Sequence, residues 1–78
     1  MTQEMKIAII MADGCTEYDA ERHAKNSCIW ENPEEYIEDL KINDIWDGET
    51  LDDFRNRKSG DVKMVTYEGH EYLIQYAL

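Results

Sequence analysis

The residues of this chain best equipped for chemistry are its carboxylates. Between Glu31 and Asp53 stand ten acids and one base, Lys41, a net charge of −9. Residues 1–30 carry −2 and residues 54–78 carry +1, so nearly all of the overall −10 lies in under a third of the sequence. Such a set can bind a metal, move protons, or meet a positive surface. A calcium loop fails on register: aligning Gly48 with the glycine of that loop puts Ile45 at a ligand position. His70-Glu71 begins like a zinc-protease helix, but Ile74, not His, stands four residues on, in a segment that reads as strand. Cys15, His23 and Cys28 match no standard zinc spacing, and the two cysteines read as free thiols, one near a turn and one in a core strand. There is no Gly-rich phosphate loop and no nucleophile elbow. No catalytic set, metal or cofactor is therefore expected, and a non-enzymatic protein is.

The third use of the carboxylates remains. A charge of −10 on 78 residues repels polyphosphates and anionic membranes, because binding to either relies on Lys and Arg. Direct contact with nucleic acid or membrane is not expected. The natural partner is a basic protein surface, above all that of a nucleic-acid-binding protein or nuclease. The N-terminal apolar run Ile7–Ala12 is short and followed at once by Asp13, unlike a secretion signal, so a cytoplasmic location is the expectation.

The elements that must carry these acids read as a single α+β domain over residues 1–78. Residues 4–11 read as a strand, apolar on both faces and thus central in a sheet. Thr16 caps a helix running to about Lys25, with Tyr18, Ala20 and Ala24 as its apolar side. Ser27–Glu31 is a short β-prone run. Asn32-Pro33-Glu34-Glu35 opens a second helix, with Asn32 as cap, Pro33 at the first position and Glu35 placed for a capping box; it ends near Ile42. Thr50 caps a third helix, with Arg55, Arg57 and Lys58 in its last turn and Gly60 as its stop. Val62–Tyr67 and His70–Ala77 form a C-terminal β-hairpin around Glu68-Gly69. A two-residue loop puts Val65, Tyr67, His70, Tyr72, Ile74 and Tyr76 on one face; a bulged three-residue loop shifts that register. The order is β-α-β-α-α-β-β, with helices on one side of a small antiparallel sheet.

The acids divide. Asp52 and Asp53 at a helix start, with bases at its end, match the helix macrodipole and read as structural. The preceding helix differs. At about 100° per residue from Tyr36, the apolar Tyr36, Ile37 and Leu40 centre near 45°, while Glu34, Glu35, Glu38 and Asp39 fall at about 160°, 260°, 200° and 300°. All four carboxylates face away from the core. Glu34–Glu38 and Glu35–Asp39 are like-charge i, i+4 pairs, each costing about 0.2–0.5 kcal/mol, and no base is spaced to neutralise them. The candidate partner-binding residues are these four with Glu31 before them, Asp44 and Asp47 extending the row, and Trp46 as an apolar contact. Two bland alternatives stand beside this: an acidic face that only keeps a small protein soluble, and a Trp46 that closes the core.

In size and in the density of carboxylates along Glu31-Asn-Pro-Glu-Glu-Tyr-Ile-Glu-Asp and Asp44–Asp53, the chain resembles the DNA-mimic inhibitors of phages and mobile elements, of the anti-CRISPR and anti-restriction type. The resemblance is one of charge and size, without a shared motif. It implies carboxylates standing in for phosphates in the basic groove of a nucleic-acid-handling protein. The rival function is a small interaction module or homodimer, with Tyr67, Tyr72 and Tyr76 of the hairpin as its contact.

Overall fold

The computed structural model describes residues 1–57 and 60–76. Lys58 and Ala77, which the sequence places in a helix end and a strand end, lie outside them. The elements run α1 (Gln3–Ala12), α2 (Glu17–Ala24), β1 (Cys28–Trp30), α3 (Pro33–Ile42), α4 (Leu51–Arg55), β2 (Val62–Tyr67) and β3 (His70–Gln75). The α+β class and the antiparallel sheet with its terminal hairpin are as expected, and the strand order is β1-β3-β2.

The first element is a helix, not a strand. Thr2 sits in extended backbone and its hydroxyl accepts the amide of Met5 at 3.2 Å, which satisfies a free N–H of the first turn. Ile9 and Ile10 are both fully buried, because α1 packs against the sheet on one side and α2 on another. A helix enclosed in this way shows an unbroken apolar run, the same signal a central strand gives.

The strand covered on both faces is β3. Tyr72, Leu73 and Ile74 are consecutive and all buried. Tyr72 and Ile74 join Val65 under α1 and α2, where Ala20 and Ala24 allow close approach. Leu73 points the other way, to Tyr36 of α3 and Phe54 of α4, with Trp30, Leu40 and Leu51 around them. The helices thus lie on both sides of the sheet, two on each, rather than on one. A three-stranded sheet with apolar residues on both faces needs two covers.

The hairpin takes the two-residue register, with Tyr67 opposite His70 and Val65 opposite Tyr72. Glu68 (φ 50°) and Gly69 (φ 78°) both adopt left-handed backbone, the conformation that matches the strands' twist. Further expectations need correction. α4 stops at Arg55 with Asn56 as its cap, so Arg57 lies beyond the helix and Gly60 is not its stop. Tyr18 is exposed rather than on the apolar side of α2, and Cys28 is exposed rather than in the core. Cys15 and Cys28 are both free thiols. No helix among the described residues is long and apolar enough to cross a membrane.

Ser27, between α2 and β1, is buried, and its hydroxyl has no hydrogen-bond partner among the described residues. A buried hydroxyl left unpaired costs about 1–3 kcal/mol. Ser27→Ala is expected to raise the thermal midpoint by several degrees, read by circular dichroism.

Candidate partner-binding surface

The surface is built on α3. Asn32 caps it, its side-chain oxygen accepting the amide of Glu34 at 3.2 Å, and Pro33 fills the first turn. The capping box expected at Glu35 forms instead on α4. There the Thr50 hydroxyl accepts the amide of Asp53, and the Asp53 carboxylate accepts the amide of Thr50 at 2.7 Å. These bonds, the backbone one first, hold the Asp53 carboxyl below its ordinary value. Tyr36 is buried, and Ile37 and Leu40 are partly buried in the same cluster, so the apolar stripe of α3 faces the sheet as its spacing requires.

Glu34, Glu35, Glu38 and Asp39 are all exposed, as are Glu31, Asp44 and Asp47. The ten acids between 31 and 53 separate by what holds them. Glu49 pairs with Arg57, Asp52 pairs with Arg55, and Asp53 closes its capping box. For the other seven, no ion pair forms among the described residues, and these are the seven acids that the sequence marks out for a partner. The nearby bases are committed elsewhere. Arg55 also reaches Glu71 of β3 at 2.8 Å, Arg57 lies against the Phe54 ring, and Lys41 lies 4.8 Å from the centre of the Trp46 ring.

Glu34 and Glu38 line a groove of about 300 Å3 between α3 and the Trp46–Leu51 segment. Glu31 and Glu35 border a second opening, beside Trp30 and Asn32. Asp39, Asp44 and Asp47 line neither opening. His70 helps to place the N-terminal edge of the surface, the ring Nε2 donating to the Glu31 carbonyl at 2.6 Å.

At the other end of α3 the chain reverses. The amide of Asp44 bonds to the Lys41 carbonyl and that of Ile45 to the Leu40 carbonyl, with Asp44 in left-handed backbone at φ 58°. The reversal leaves three large apolar side chains in solvent: Ile42 is 78% exposed, Ile45 66% and Trp46 42%. Trp46 therefore does not close the core; Trp30 and Tyr36, edge to face at 4.9 Å, do that. Ile42 and Ile45 were not singled out in the sequence. Ile42 falls at about 240° on α3, between Glu38 and Glu35, so helical spacing alone turns it outward. Nothing local marks Ile45. Trp46 is held in place, its Nε1 donating to the Glu49 carbonyl at 2.9 Å, while Asp47 accepts the Glu49 amide at 3.2 Å.

The tyrosines proposed as a hairpin contact are used internally. Tyr72 is buried, and Tyr67 and Tyr76 pack partly buried against the same cluster. The Tyr76 hydroxyl donates to Asp13 at 2.7 Å, and the same carboxylate oxygen accepts from Lys63 at 2.7 Å. Burial, and then the bond to Asp13, push the Tyr76 phenol well above its usual value of 10.0. Burial likewise raises the neighbouring Cys15 thiol, with the Asp13 charge adding to it. The Tyr76 phenol holds its proton more tightly folded than unfolded. Its contribution to stability is fully present below about pH 10 and is lost as pH rises toward the folded value. Alkaline unfolding should therefore be shallower above that pH in Tyr76→Phe than in the parent protein.

Among the described residues, no group of three or more His, Cys, Asp or Glu is placed to hold a metal ion. Comparison with protein-family models, curated proteins and solved structures finds no match.

Proposed function

We propose that this chain is a non-enzymatic acidic binding protein that inhibits a nucleic-acid-handling protein by occupying its basic groove. The observation that carries this reading is the division of the acids. Of the ten between Glu31 and Asp53, three are held in an ion pair or a capping box, and the other seven are exposed and make neither among the described residues. Unbalanced like charge on one short helix works against folding, and the exposed Ile42, Ile45 and Trp46 beside it form apolar surface that a partner can cover. Charge surrounding an apolar contact is the usual make-up of a recognition surface. The carboxylates would stand in for phosphates, as in the DNA-mimic inhibitors the sequence resembles. A dimer through the hairpin has less to offer, since Tyr72 is buried in the core and Tyr67 and Tyr76 are partly buried against it.

The test is capture of basic nucleic-acid-binding proteins on immobilised protein at low salt, followed by release. Release by duplex DNA and by moderate salt is expected, because both compete for the same positive groove. Retention through high salt and excess DNA would overturn the reading.

A further inference from the structure

We propose that the groove between α3 and the Trp46–Leu51 segment receives one arginine side chain of the basic partner, stacked on the Trp46 indole. This rests on the acidic-face reading and specifies how that face grips. The groove is lined by the apolar side chains of Ile37, Leu51 and Trp46 and by the acids Glu34, Glu38 and Glu49, the last of them paired with Arg57. Its volume of about 300 Å3 is at the lower limit of ligand pockets and suits a single side chain. A long aliphatic stem with a cationic end matches both parts, and charge complementarity selects it over an apolar or acidic group.

The molecule already shows what the indole accepts. Lys41, which also lines the groove, makes no ion pair among the described residues with Glu34 or Glu38. Its ammonium instead lies 4.8 Å from the Trp46 ring centre. The ring is thus a cation platform with a resident occupant that a partner cation would replace. Arginine fits better than lysine, because its flat guanidinium stacks on indole and is more weakly hydrated. The platform is pre-set. The Nε1 bond to the Glu49 carbonyl fixes the indole, and the Glu49 carboxylate is anchored by Arg57, which also donates to the Val62 carbonyl at 3.3 Å. Little ordering is left to occur on binding.

The experiment titrates the isotope-labelled protein with three short peptides, Gly-Arg-Gly, Gly-Lys-Gly and the citrulline analogue of the first, all blocked at both ends. The Trp46 indole N–H resonance is followed by NMR, and Trp30→Phe identifies it. The arginine peptide should shift that resonance saturably, the lysine peptide more weakly, and the uncharged citrulline peptide not at all. Lys41→Ala should tighten arginine binding several-fold by vacating the ring. Lys25→Ala, which makes the same charge change on α2, should leave it nearly unchanged. If the arginine peptide shifts the amides of Glu31–Asp39 but not the Trp46 indole, or if both lysine variants tighten binding equally, the groove proposal is overturned while the acidic face stands. If neither this peptide nor hexa-arginine perturbs any of these resonances at low salt, both readings fail.

Discussion

Replacing Glu38 and Asp39 together by lysine is expected to make the protein more stable and to abolish its binding. In α3 the two substitutions convert Glu34–Glu38 and Glu35–Asp39 from like-charge pairs into Glu-to-Lys pairs in the favourable orientation. Each swing is worth about 0.4–1 kcal/mol, so the double variant should gain about 1–2 kcal/mol. The new bases also lie toward the negative end of the helix dipole. Both positions are exposed and away from the core, so no packing is lost. Binding to a basic groove should fall by about 100-fold or more, since two attractive contacts become repulsive. Denaturant unfolding and a binding titration on the same sample measure the two effects. If the acids serve only solubility, stability should still rise, with partner binding unchanged. Opposite movement of the two quantities is what a surface selected for contact predicts.

Leu73→Ala should have the largest effect on the fold itself. Leu73 is fully buried in the central strand and holds α3 and α4 to the sheet through Tyr36 and Phe54. Truncating a buried leucine costs about 2.7–5 kcal/mol, depending on how far the cavity collapses. A chain of this length has a total stability of only about 4–12 kcal/mol. The thermal midpoint should drop by about 10 °C or more, and the variant should sit near the limit of folding at body temperature. A loss under about 1 kcal/mol in chemical denaturation would show that α3 and α4 are not held through this contact. The candidate surface would then lack the rigid support its geometry implies.

Much of the local structure was legible in the chain. Thr16, Asn32 and Thr50 cap the three helices they were expected to cap, because a side-chain oxygen beside free amides acts over three residues. Glu68-Gly69 is compatible with a two-residue or a bulged three-residue loop, and the pairing of Tyr67 with His70 decides for the two-residue turn. The outward direction of the α3 acids followed from helical geometry and three apolar residues. Ile7–Met11 satisfies a central strand and an enclosed helix alike, and it is the Thr2 cap and the packing of α1 against both α2 and the sheet that make it a helix.

By itself, then, the sequence determined where the charge lies, which helix carries it outward and where α2, α3, α4 and the hairpin turn begin. These depend on neighbours a few residues apart. Tertiary structure alone decided that helices cover both faces of the sheet, that Tyr72 is core, and that Ile45 and Trp46 stand in water. It also decided which acids are spoken for, since Arg57 meets Glu49 and Arg55 meets Glu71 only once the chain has folded back on itself. Burial and ion pairing are relations between segments distant in sequence, and no single segment encodes the partner it will find.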